Sequence, residues 1–193
     1  MSGDPVLTAA HPRPRWYQLT QIAAVALIVL LILAALAQIA LVLLGSPLLL
    51  AVVAAVIALA LTAPLLMQTT ISPPVTVSAD GLTLRPLIWR QQAISWAAVE
   101  SLKPYPLLTP ASAEVVRRGL SGRSNYRPAE GMMLVIPALP LPYRVAGLLA
   151  GEGFTAVIAL TNRTHTDYPA LIAAVIDHVR AAGGVVHADA PAA

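Results

Sequence analysis

From Trp16 to Ala79 the chain carries no Asp, Glu, Lys, Arg or His, a stretch of 64 residues. Two long apolar runs lie inside it. Residues 19–44 would make a helix of about 39 Å at about 1.5 Å per residue, and residues 47–66 one of about 30 Å. The hydrocarbon core of a bilayer is about 30 Å thick, so each run is long enough to span it, the first with tilt. Gly45-Ser46-Pro47 separates them. Glycine suits a helix C-terminus and proline the first turn of the next helix, so the reading is a tight antiparallel hairpin. A soluble helical core would need a polar face at period 3.6, and neither run has one. A signal peptide is the other alternative, with Arg13 and Arg15 before the apolar run and Ala35-Leu36-Ala37 as a cleavage-like triplet. The run continues past that triplet to Leu44, and a second run follows at once.

Orientation is read from the basic flanks. Arg13 and Arg15 precede the first run, Arg85 and Arg90 follow the second, and the turn between them is uncharged. The positive-inside rule then puts both termini in the cytoplasm and the turn outside. Trp16 and Tyr17 fall at interface depth. Ala51, Ala55, Ala58 and Thr62 form a stripe of small residues along the second run, as close helix packing in lipid requires, although alanine is abundant throughout. Gln21 and Gln38 lie near the ends of the first run, as interface anchors. Neither run holds an ionisable group from which a proton or ion relay could be built.

Composition agrees. The chain has 193 residues, 58% hydrophobic and 11% charged, against about 25% charged in ordinary soluble domains. With no cysteine there is no disulfide framework, thiolate zinc site or cysteine nucleophile. Eleven of the twelve basic residues are Arg, a bias of GC-rich bacterial genomes.

The rest of the chain reads as short strands followed by a helix. Val75-Thr76-Val77-Ser78 and Leu82-Thr83-Leu84-Arg85 alternate around the turn signal Ala79-Asp80-Gly81. Gln92, Ile94 and Trp96 share one face of a third strand, 97–100 is a helical turn, and 101–105 is a fourth strand. Residues 132–136 and 154–161 read as further strands, with Gly147, Gly151 and Gly153 in the turn before Phe154. Thr166 is the expected N-cap of a last helix, whose stripe is Tyr168, Leu171, Ile172, Val175, Ile176 and Val179. Gly183-Gly184 ends it. The expected fold class is α+β: a tail over 1–18, a transmembrane α-hairpin over 19–67, a small antiparallel β-sheet or barrel domain with a C-terminal helix over 72–184, and a disordered tail over 185–193.

The run 75–84, followed by Ile94-Ser95-Trp96-Ala97-Ala98-Val99-Glu100-Ser101-Leu102, resembles bacterial pleckstrin-homology-like (PH-like) domains. Those read as a strand, an Asp-Gly-Leu turn, a strand, then a strand ending in Trp before a helical turn. They often follow a pair of transmembrane helices, and the helix near Thr166-Asp167-Tyr168-Pro169 matches the family's C-terminal helix. The resemblance covers roughly 72–182, although residues 106–131 do not align with it. It implies a PH-like fold and brings no common active site.

The polar residues offer little chemistry. Arg117, Arg118, Arg123 and Arg127 cluster in one loop and are the candidate contacts for anionic lipid head groups, at about 1 kcal/mol each; a loop that is merely solvated is the alternative. From Met67 onward ten basic residues face eight acidic ones, too even a balance for a nucleic-acid binder. His165 and Asp167 lie in the densest polar run, but no H-x-x-x-H or H-E-x-x-H spacing exists, and a strand-to-helix corner explains them. No G-x-S-x-G elbow and no G-x-x-x-x-G-K-[ST] phosphate loop occurs. The expectation is a bacterial inner-membrane, multi-pass protein with a non-catalytic scaffold or interaction domain at the cytoplasmic face. It would have no cofactor, no metal and no nucleic-acid partner, and would contact the bilayer and an unidentified protein. The alternative is an accessory subunit of a larger membrane complex, bound through its hairpin.

Overall fold

The computed structural model describes residues 6–44, 48–108 and 129–187. A short strand β1 (Leu7–Ala9) comes first. Helix α1 (Pro14–Leu43) starts with proline in its first turn, where the missing N–H leaves no bond unmade, and helix α2 (Leu48–Thr70) packs antiparallel against it. Both are long and apolar enough to cross a membrane. The second helix runs past Leu66, the expected end, because its last polar turn is covered by protein: Thr69 and Thr70 are fully buried.

Four strands follow: β2 (Val75–Ser78), β3 (Gly81–Leu84), β4 (Gln92–Ser95) and β5 (Ser101–Pro104), with a single 3-10 turn (Trp96–Ala98) between the last two. Then come β6 (Gly131–Val135), α3 (Leu141–Leu149), β7 (Val157–Thr161), α4 (Tyr168–Ala181) and β8 (Val185–Val186). The strands form two four-stranded sheets, β1-β2-β3-β4 and β7-β6-β5-β8. These sheets do not close into a barrel, so the sheet alternative is the one observed.

The first sheet is antiparallel throughout. Val75 stands opposite Ala9 and Leu84, and Val77 opposite Leu7 and Leu82. With Ile94 opposite Leu82, the alternating residues form one inward row. Leu102, Leu134, Ile158 and Leu160 of the second sheet meet that row, and α4 closes the core with Tyr168, Leu171, Val175 and Val179. Trp96 is buried where its place at the strand end predicts. Its indole N–H donates to the Ser78 carbonyl at 2.9 Å, and its ring stacks on His178 at 4.8 Å.

The second sheet is covered on both faces. Met133, Val135 and Val157 turn away from the main core and pack with Ala146 and Ala150 beside α3, and with Met67 and Ile71 at the end of α2. Every residue of β7 is therefore buried. Helix α3 was not expected. Its prolines disguised it, yet Pro142 occupies the first turn, where proline is tolerated. Gly147 lies inside it because a side chain there would strike the Thr155 carbonyl. Gly151 and Gly153 do form a turn, both with positive φ, but Phe154 precedes the strand and is exposed.

Residues 1–18 were expected as a tail, yet β1 lies among them and joins the first sheet. Val185 and Val186, expected in the other tail, pair parallel to β5.

Candidate functional site

The four residues put forward from sequence, Arg117, Arg118, Arg123 and Arg127, lie outside the described residues. Polar groups instead converge at the junction where the hairpin enters the sheets. Gln21 of α1 is buried, and its side-chain amide donates to the Gln68 carbonyl of α2 at 2.9 Å. Trp89, in the loop between β3 and β4, donates its indole N–H to the Thr69 hydroxyl at 2.9 Å. Beyond α2 the chain is clamped. Ala159 N–H of β7 donates to the Ile71 carbonyl at 2.6 Å, and Arg85 N–H to the Pro74 carbonyl at 2.8 Å. The outer edge of β7 is thus capped by the segment that links helix to sheet, as a sheet edge requires.

His165 fastens the same segment from the other side. It is 3% exposed. Its Nε2 lies 3.0 Å from the Pro73 carbonyl, which can only accept, so Nε2 carries the proton. Nδ1 then accepts from the Thr164 hydroxyl at 2.9 Å and, at 3.4 Å, from the Thr161 N–H. Burial pushes its pKa down to about 4, with the nearby His11 adding in the same direction and the two backbone hydrogen bonds opposing. The ring is neutral and both nitrogens are engaged, so it fits a structural pin and not a metal ligand. Among the described residues no group of three His, Cys, Asp or Glu could hold a metal ion.

Thr166, the expected N-cap, does a different job. Its hydroxyl accepts from the Ala10 N–H and donates to the Ala10 carbonyl, while its own N–H also donates to Ala10. Asp167 takes the cap position in a left-handed conformation, φ 50°, without a side-chain capping bond. The polar run 162–168 is therefore a corner that ties the end of β1 and the linker to the start of α4. Nothing in its spacing points to partners 92 and 156 positions away.

On α3, Tyr143 is fully buried and belongs to the main core. Its hydroxyl has no hydrogen-bond partner among the described residues, and neither does the side-chain carbonyl of Gln21. Burial pushes the Tyr143 pKa up to about 12. Lys103 and Glu152 form an ion pair at 2.8 Å between β5 and the turn after α3. The arrangement is a stiff mount: it can hold a sheet domain in fixed orientation to two long apolar helices.

In comparisons with known proteins, no family model, no curated protein and no solved structure matches this chain.

Proposed function

We propose that the chain is a two-pass membrane protein of the bacterial inner membrane that presents a PH-like, non-catalytic interaction domain at the cytoplasmic face. One observation carries this reading. β1 precedes the hairpin and β2 follows it, and the two strands pair residue for residue from Leu7–Val77 to Ala9–Val75. A chain that leaves a sheet, crosses the bilayer twice and returns to the neighbouring position has both ends on one side. The positive-inside rule names that side through Arg13, Arg15, Arg85 and Arg90. The two sheets closed by a C-terminal helix support the PH-like likeness. The non-catalytic reading is supported by how polar groups are spent: His165 pins the linker, His178 stacks on Trp96 and Lys103 pairs with Glu152.

The absence of cysteine makes the test clean. Single cysteines at Asp80, His187 and Ser46 are labelled in intact cells with a membrane-impermeant maleimide. Asp80→Cys and His187→Cys should react only after permeabilisation, and Ser46→Cys before it. Labelling of Asp80→Cys in intact cells would overturn the topology. Photocrosslinkers at Asp80 or Glu100 should then capture a protein partner in membranes. Capture from Leu30 alone would favour an accessory subunit held through its hairpin.

A further inference from the structure

We infer that the loop between β3 and β4, residues 85–90, is a third membrane contact: it dips Leu87 and Ile88 into the interfacial layer of the bilayer beside the hairpin, with Arg85 and Arg90 at the phosphate level. This rests on the hairpin spanning the membrane as proposed above.

The sequence of the loop is Arg85-Pro86-Leu87-Ile88-Trp89-Arg90. Leu87 is 46% exposed and Ile88 37%, whereas Leu82 and Leu84 of the preceding strand are fully buried. The position of the loop, rather than the exposure alone, gives this pair its meaning. Trp89 holds it to the last turn of α2 through the Thr69 hydroxyl. The Gln21–Gln68 bond sets those two residues level across the antiparallel pair, so Thr69 lies level with Thr20 of α1. Thr20 is five residues further along α1 than Arg15, about 7.5 Å at about 1.5 Å per residue. The loop therefore reaches past the basic flank of the first helix. From Leu19 onward α1 turns large apolar side chains outward, 59% exposed at Leu19 and 60% at Ile22. The tip meets the hairpin at the boundary where its surface becomes lipid-like.

The chemistry of the loop fits that boundary. Arg85 and Arg90 are exposed and bracket the apolar pair, and arginines at this level attract anionic head groups. Trp16, 66% exposed on the first turns of α1, and the half-buried Trp89 are the residue type that favours the interface. The surface is continuous with the hairpin, and its occupant is phospholipid.

The experiment uses the full chain in vesicles of zwitterionic and anionic phospholipid. An environment-sensitive fluorophore is placed on one cysteine at a time: Ile88→Cys, Leu87→Cys, Asp80→Cys and Leu30→Cys. Asp80 is the water control, because it lies in the turn at the opposite end of β3. Leu30 is the lipid control, midway along α1. Quenchers sit either near the head group or deep in the acyl chain. The label at 88 or 87 should be quenched by the shallow probe several-fold more than at 80, and less than Leu30→Cys by the deep probe. If both loop positions behave as Asp80→Cys while Leu30→Cys is quenched in the acyl region, the loop faces water and the inference is overturned with the hairpin reading intact. If Leu30→Cys is not quenched, the hairpin reading fails and the inference falls with it.

Discussion

The hairpin and the sheet domain sort their residues in opposite ways. In the sheets large aliphatic side chains are buried: Leu82, Leu134 and Leu171 are all 0% exposed. In the hairpin they point outward, with Leu30 at 62% and Val56 at 59%, and the residues shielded between α1 and α2 are small, Ala24, Ala35 and Ala58. The stripe of small residues on the second helix is thus spent inside the hairpin: Ala58 is buried, and Ala55 and Thr62 beside it are half-shielded. Water as the only solvent would penalise such an inverted helix pair at about 25 cal/mol per Å² of apolar surface left exposed. Lipid would remove that penalty and leave close backbone packing as the reason for alanine at the contact. The same residue type therefore means different things on the two sides of Thr70.

The largest effect that would sharpen this contrast comes from truncating one leucine on each side. Leu134→Ala opens a cavity between the sheets and α4 and should cost about 2–5 kcal/mol. Leu30→Ala removes a side chain that is mostly uncovered by protein, 62% exposed, and should cost under about 1 kcal/mol. Chemical unfolding of the full chain in detergent, followed by Trp fluorescence, measures both. Equal losses would mean that Leu30 is packed against protein.

Next comes pH. His165 is held neutral in the fold, with its pKa lowered to about 4, and protonates near 6.5 when unfolded. Between those values the unfolded chain binds more protons, so stability is full above pH ~6.5, falls as pH drops toward ~4 and levels off below that. The loss is on the order of 3 kcal/mol. His11, whose pKa burial also lowers, adds in the same direction. Unfolding midpoints at pH 7 and pH 5 measure it. His165→Gln should flatten most of the dependence, and an unchanged slope in that variant would place the titrating group elsewhere.

Smaller effects belong to the ties between hairpin and sheets. Thr166→Val removes both hydroxyl bonds to Ala10 and should cost about 1 kcal/mol, read as earlier proteolysis at the β1 end. Glu152→Gln breaks a partly exposed ion pair and should change stability by about 0–1 kcal/mol, less still in high salt.

How much of this was legible in the sequence follows from the range of the forces. The hairpin announces itself through charge alone, and the β2-β3 turn through Asp80-Gly81. Trp96 was readable because alternation carries it into the core. β1 was not, since three residues carry no period and their partner lies across the hairpin. Helix α3 was missed because its prolines sit in a first turn that tolerates them. The junction was harder still. Gln21 looked like an interface anchor, and only the folded chain shows its amide on Gln68. His165 was rightly read as part of a corner, but its partner Pro73 is 92 positions away.

The hairpin is inserted between two neighbouring strands, and joining those strands chemically tests this. Thr8 and Thr76 stand opposite each other in β1 and β2. Directly opposed residues in an antiparallel pair have Cβ atoms about 4.5–5.5 Å apart. In the otherwise cysteine-free chain, Thr8→Cys with Thr76→Cys should be joined by a short bis-maleimide in native membranes, giving a faster-migrating monomer in denaturing gels. Thr8→Cys with Ser46→Cys should not. Absence of the 8–76 crosslink, with both cysteines still reactive, would contradict the account, because the strands flanking the hairpin would then not be neighbours.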